Sequence, residues 1–563
     1  MTQFTTQTNQ FLNNNRHIYE VNYLANNANG DIVSVTNPLP VTLASSGGTG
    51  GQNIVSFPDA SVTAFDEPLS VGITPVLQGS TVYGIDPEFW NESILRGGSI
   101  NVTNTHLFQV CSGTSAGGYA RLATSKYVTY QPGQGIMFRW TAAFTANGNT
   151  KDALGVDNIV QNTGPIDREN GYSIGFSGSS ANDASRKIGI LHRRQGYVET
   201  RQLTINTAPT GTQTATITLN GQAFTVNITS GTTSHAAHEI AAGLKANTTA
   251  DNLWDIDACD SIVTVVYYTP GSQAGTYGIS SSGVGTLVNG GFTQVVAGSS
   301  PSDTWTYVDD WNGTIPASFD PTKLNVYGMD MRWLGSGRVR FFMEDPDTGK
   351  MVLIHTKKWT KDQTALAPHI RNPSLRIVYR SGTTNPAITP SQNVIVSGAS
   401  CFGGIQGVIN QTGSSQSYYS LDGTSRAKDT VWHLLSIQNP FVRNNAVNKS
   451  SLIIQDISIS VKSVDPAVLY LVKNATGTSG LLEFNPLPNA TAFNFAQYSV
   501  SAVSENLAND SLSLVQTIAI NGSAQFNLLP YNFTLAPGEY MSAFISSTNS
   551  FNSTSIGIAW KID

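Results

Sequence analysis

Charged side chains are scarce in this sequence. Asp, Glu, Lys and Arg make up 12% of 563 residues, about half the ~25% usual for soluble domains. With a formal net charge of −6 there is no cation excess to neutralise a run of phosphates, so nucleic acid is not an expected partner. Cysteine is nearly absent. Cys111, Cys259 and Cys401 are odd in number and far apart, which excludes a disulfide scaffold and suggests reduced, buried thiols in a chain folded in a reducing cytoplasm. No window approaches the ~20 apolar residues of a membrane helix. The opening string MTQFTTQTNQFLNNNRH has no apolar centre, so neither membrane insertion nor a secretory leader is expected.

Neutral polar residues and glycine replace charge. There are 52 glycines, and Asn, Ser and Thr are abundant, a composition that suits strands and turns better than long charged helices. The length is consistent with roughly three or four domains. Residues 1–90 contain NPLPVTL, ASSGGTGGQ and DEPLSVGITPVLQG. They carry too few apolar residues for a core and read as an extended arm held by neighbouring subunits. Residues 91–202 turn to β patterning: in GIMFRWTAAFT, Ile136, Phe138, Trp140 and Ala142 share one face, and Ile188 and Ile190 pair likewise in RKIGILHRRQG.

Residues 203–298 read as an inserted ββαβ-type module. In TATITLNGQAFTVNIT, Asn220-Gly221 suits a two-residue turn with positive φ at both positions, which sets Ile217 against Phe224 and Ala215 against Val226. SHAAHEIAAGLKANTT is the best helix in the chain, with Ser234 as its expected cap and Ile240, Ala241 and Leu244 on one face. Strand patterning resumes over 299–410 and continues over 411–563 as a second, jelly-roll-like sandwich. The expected fold is therefore mainly β: antiparallel sandwiches, one lectin-like and one jelly-roll-like, with an extended N-terminal arm and a small α+β insertion.

The string MRWLGSGRVRFFM tests phosphate binding against simple chain reversal. A phosphate loop needs a helix after its glycines, whereas a strand follows here. A three-residue turn Gly335-Ser336-Gly337 would pair Trp333 with Val339, Met331 with Phe341 and Met329 with Met343. It would place Gly337 in the left-handed region and send Arg332 and Arg340 to the opposite face, with Arg338 entering the return strand.

Other candidate chemistry is sparse. Asp345 and Asp347 in EDPDTGK lack the further oxygens of a calcium loop and read as a turn. Asp255 and Asp257 flank Ile256 on an expected strand and read as solvent-exposed. His235 and His238, near Glu239, have the i, i+3 spacing of a metal pair but no third ligand. His355, His369 and His433 read as sandwich residues. Asp309 and Asp310 beside Trp311 are the candidate glycan-stacking group, set against packing of Trp311 at the sandwich edge. No paired-carboxylate strand or repeating β-helix of a polysaccharide depolymerase is evident. No catalytic residue, metal or cofactor is expected.

At FDPTKLNVYGMDMRWLGSGRVRF the chain resembles a family of tailed-phage virion structural proteins, common among marine and cyanobacterial phages, with the hairpin W-L-G-x-G-R-V-R-F. PHIRNPSLRIVY, TAFDEPLSV, GGYARLATSKYVTYQPGQGIMF and NGYSIGFSG look like the same family, so the resemblance covers about residues 60–202 and 299–380. The central part also resembles a concanavalin-like sandwich. The resemblance implies a virion component made of β-sandwiches and does not itself place it in the particle; the leading reading is a non-enzymatic tail, baseplate or neck appendage or fibre subunit. It would be homo-oligomeric, as a trimer, bound to other virion proteins through its arm, and able to meet a host-surface glycan. The alternatives are a capsid decoration or head-fibre protein, and a tailspike depolymerase.

Overall fold

The computed structural model describes residues 72–562 apart from 284–288, 360–366, 408–414, 445, 464, 492–493, 508–511, 520–521 and 532. Strand counts below refer to these residues. Most of the expected arm lies outside them. Its last part is not an arm: Ile73–Ser80 is a strand paired antiparallel with Ser400–Gln406, and Trp90 is buried in the central core.

The central sandwich packs a nine-stranded sheet against a seven-stranded one. The first runs Met351–Lys357, Val339–Glu344, Asn325–Met331, Gly135–Phe144, Ile395–Gly398, Phe108–Cys111, Ser99–Val102, with Ser400–Gln406 also pairing Gly135–Phe144. The second runs Ser302–Tyr307, Gly189–Arg194, Gly171–Phe176, Val160–Pro165, Ile377–Gly382, Tyr119–Thr124, Trp90–Leu95. Strand alternation sends Ile136, Phe138, Trp140 and Ala142 inward from one sheet and Tyr172, Ile174, Ile188 and Ile190 from the other, into a shared core.

The expected faces of the MRWLGSGRVRFFM hairpin are right, but its register is not. Met331 faces Val339, Met329 faces Phe341 and Tyr327 faces Met343, two residues from the expected pairing. A shift of two leaves every side chain on its face, because the strand period is two. Trp333 leaves the ladder: its Nε1–H donates to the Ile370 carbonyl at 2.9 Å and its ring meets Tyr130 edge-on at 5.4 Å. The chain reverses over five residues, closed by Gly337 N–H to Trp333 O at 2.8 Å. The left-handed residues are Leu334 and Gly335. Gly337 is needed for close approach, since a Cβ there would stand 1.8 Å from the Arg332 carbonyl oxygen.

Inserted in the central sandwich between its strands Gly189–Arg194 and Ser302–Tyr307, a four-stranded and a three-stranded sheet flank the helices Thr233–Lys245 and Thr248–Leu253 around a separate core of Ile217, Phe224, Ile240, Leu244 and Trp254. The Asn220-Gly221 turn has positive φ at both residues and the expected pairs Ala215–Val226 and Ile217–Phe224. The helix cap is Thr232, whose Oγ1 accepts from His235 N–H at 3.0 Å; Ser234 lies inside the helix.

The second sandwich sets the sheet Ser415–Asp422, Phe551–Ile562, Leu452–Ser463, Ser523–Asn527 against one centred on Val431–Gln438, Tyr540–Ser547 and Ala467–Lys473. Its core includes Leu435, Ile457, Leu469, Met541, Ile558 and Trp560. All of the strand pairs are antiparallel.

Candidate functional site

The outer face of the seven-stranded sheet sets like charges on neighbouring strands. Arg121 on Tyr119–Thr124 stands directly opposite Arg380 on Ile377–Gly382, and Arg380 in turn opposite Asn162 on Val160–Pro165. Like charges facing one another across a ladder oppose folding. Ala123, Val378, Ile166 and Leu191 form an apolar floor beside them, and Tyr268 and Pro270 from the segment after strand Ile262–Tyr267 close a wall. The result is a cavity of about 170 Å³.

The hydrogen bonds show which cations are compensated. Arg193 forks onto Asp303 at 2.9 and 2.7 Å, and Arg168 is buried against Asp255. Arg121, 7% exposed, donates from Nη2 to the Asn91 amide oxygen at 2.9 Å and leaves its Nε–H without a partner. Arg380 donates from Nε to the Asn162 amide oxygen at 3.2 Å. Neither meets a carboxylate among the described residues. Both titrate below the ordinary guanidinium range. Burial is the first cause, and Arg376 adds to it for Arg121. Arg380 is pulled down to about 10 by burial and then by the Arg193 charge. The Tyr268 ring lies under two of the cations, 5.1 Å from Arg121 Cζ and 4.7 Å from Arg168 Cζ.

The residues singled out in the sequence are not brought to this cavity as a group. Trp311 is 7% exposed, packs into the central core and donates Nε1–H to the Thr306 carbonyl at 3.0 Å. Its faces are covered, so Asp309, Asp310 and Trp311 form no stacking platform. Asp309 instead pairs with Lys187 at 2.7 Å. Arg340 does lie opposite the core face, yet it does not project: it is 1% exposed and its Nε lies 2.9 and 3.1 Å from the two carboxylate oxygens of Asp330. Asp345 caps its own turn, accepting from Thr348 Oγ1–H at 2.7 Å and from Asp347 N–H at 3.1 Å.

The expected exposure of Asp255 and Asp257 is corrected, since they are 8% and 6% exposed. Docked elements cover the strand Trp254–Cys259, so alternation does not report exposure there. Asp257 accepts from Gln438 Nε2–H of the second sandwich at 3.2 Å, and burial raises its carboxyl above the usual range. The two helix histidines serve the same joint. His238 Nε2 accepts from Phe484 N–H at 2.7 Å, Asp260 N–H donates to the Phe484 carbonyl at 2.8 Å, and His235 Nδ1 meets Glu483 at 2.8 Å. Lys449 of the second sandwich is buried against Asp167 and lies 3.8 Å from Glu169 of the central one. His355 and His433 are buried, and His369 Nδ1 meets Tyr172 Oη at 2.7 Å. Among the described residues no His, Cys, Asp or Glu cluster has metal-binding geometry, no two cysteines are bonded, and no helix is long and apolar enough to cross a membrane.

Two signals were missed in the sequence. Arg121, Asn162 and Arg380 are separated by long stretches, and only strand order makes them neighbours. The string GTSAG over 113–117 has the spacing of a nucleophile elbow. Here it joins strand Phe108–Cys111 to strand Tyr119–Thr124 with no helix after the serine, which is not the context an elbow requires.

No protein-family profile and no curated protein sequence matches the chain. Among solved structures it has likenesses to a Bauhinia forficata lectin in complex with GalNAc (10% identity, 59% of this chain and 98% of that one, TM-score 0.20). A second is the botulinum neurotoxin serotype C1 binding domain (8%, 84% and 93%, TM-score 0.21). A third is an archaeal virus protein described by its triple jelly-roll fold and turret assembly (10%, 91% and 98%, TM-score 0.14). With TM-scores at or below 0.21 these likenesses carry no inference, and the architecture rests on the strand pairing itself.

Proposed function

We propose that this chain is a non-enzymatic structural component of a tailed-phage virion, a tail, baseplate or neck appendage or fibre subunit. It assembles with copies of itself as a trimer and presents its sandwiches to the host surface. The observation that carries this reading is the strand Ser415–Asp422. It stands at the end of its sheet among the described residues and exposes Tyr419 and Leu421, 69% and 73% accessible, on one face. A sheet-edge strand bearing large apolar side chains is an aggregation hazard in a monomer and an ordinary contact in a closed assembly. The buried links Lys449–Asp167, Arg168–Asp255 and His238–Phe484 support it further, because they join the sandwiches and the inserted module as a stiff projecting element requires. The WLGSGRVRF resemblance supplies the virion context.

Mass photometry of the full chain tests the reading. A single oligomer is expected, shifting toward monomer in Leu421→Lys. A monomer at every concentration overturns it. Incubation with host polysaccharide tests the depolymerase alternative, and release of new reducing ends would replace the non-enzymatic reading.

A further inference from the structure

The opposed pair Arg121–Arg380 is unfavourable for folding alone, and its hydrogen bonds go to neutral amides. Three nearby carboxylates are already committed: Asp303 to Arg193, Asp255 to Arg168 and Asp167 to Lys449. Two guanidiniums therefore line a cavity without an ion pair to a carboxylate among the described residues, the Asp303 charge reaching Arg380 only at longer range, and one of them has a buried, unpartnered Nε–H. A partly buried cation cluster of this kind gains from an external anion, because charge-assisted bonds strengthen away from bulk water.

The walls narrow the ligand further. A volume of about 170 Å³ is close to the ~150 Å³ that holds a benzene-sized molecule, so the cavity admits an anionic group and part of the ring that bears it. Tyr119, Ile166 and Pro301 bring apolar surface to the cavity, which a bare inorganic ion would leave uncovered. A nucleic acid would need a stripe of cations along its backbone, which a chain of net charge −6 does not favour.

We propose that this cavity binds an acidic saccharide unit, a sugar ring bearing a carboxylate or sulfate, with Arg121 and Arg380 holding the anionic group. The proposal deepens the attachment reading and rests on it. Planar guanidinium forks match carboxylate and sulfate oxygens in a way lysine does not, and Tyr268 beneath Arg121 fixes one fork in place.

The test uses the full chain at constant ionic strength. Calorimetric titrations compare a uronic-acid disaccharide, a sulfated disaccharide, a neutral disaccharide, inorganic sulfate and a short single-stranded oligonucleotide. At least one acidic disaccharide should bind at least about tenfold tighter than inorganic sulfate or the neutral sugar, and Arg380→Gln should lose at least about that factor. Arg380→Lys, which keeps the charge and loses the fork, should fall between. Without ligand, at low salt, Arg380→Gln should melt no lower than the wild type, because it relieves a like-charge contact. A clear drop in its melting temperature would make the arginine structural and overturn the proposal. Equal affinity for inorganic sulfate, equal affinity for the neutral sugar, preference for the oligonucleotide, or no binding would each overturn it too. Mass photometry of the same samples separates that failure from failure of the assembly reading.

Discussion

Removal of the Asp330 carboxylate probes the hairpin most directly. Asp330 and Arg340 are each 1% exposed and face one another across the ladder. In Asp330→Ala the guanidinium stays buried without its carboxylate. Breaking a buried pair from one side costs about 3–5 kcal/mol, far above the ~0–1 kcal/mol of a surface pair. For a sandwich of this size, each kcal/mol lowers the melting temperature by ~2–4 °C, so the central transition should fall by about 6–20 °C in scanning calorimetry. Asp330→Leu combined with Arg340→Met removes both charges. It should recover most of the loss, because a buried ion pair replaced by apolar residues is often neutral or stabilising. A single variant within about 1 kcal/mol of wild type would refute the reasoning. So would a double variant as damaged as the single one.

Three further outcomes are expected. Gly337→Ala should destabilise more than Gly335→Ala: the first puts a Cβ 1.8 Å from the Arg332 carbonyl, whereas the second has open space and only a left-handed φ of 85° to tolerate, a cost of about 1 kcal/mol; urea titration ranks them. Lys449→Met should leave Asp167 and Glu169 buried without their shared cation and widen the separation between the melting transitions of the two sandwiches as they uncouple. His433, bonded to the Ser501 carbonyl at 2.8 Å and Ser436 Oγ at 2.7 Å, is held neutral chiefly by burial, with its pKa brought down to about 4. The unfolded chain binds that proton near pH 6.5, so stability should be full above ~6.5 and fall by about 3 kcal/mol as pH drops toward 4. His433→Gln should flatten this part of the profile in pH-dependent urea unfolding.

Much of the architecture was legible because strand alternation is a local signal. Ile136 to Ala142, the Asn220-Gly221 turn and the face of Ile240 and Leu244 all depend on residues within one strand, one turn or one helix. The hairpin shows the limit. Its faces follow from the period of two, but its register depended on Trp333 finding Tyr130 and the Ile370 carbonyl, partners remote in sequence. The exposure expected of Asp255 and Asp257 failed for a related reason. Both look solvent-exposed when their strand is read alone, and other elements cover them once the bodies dock.

A β protein sparse in charge, its strand faces and its tight turn can all be read along the chain, because they follow from nearest-neighbour sterics and hydrophobic alternation. Which charges are buried and which are left uncompensated depends on how the strands are ordered and the bodies dock. Arg121 and Arg380 are 259 positions apart in the chain and opposite one another in the sheet. That adjacency comes from strand order, which alternation along a strand does not encode.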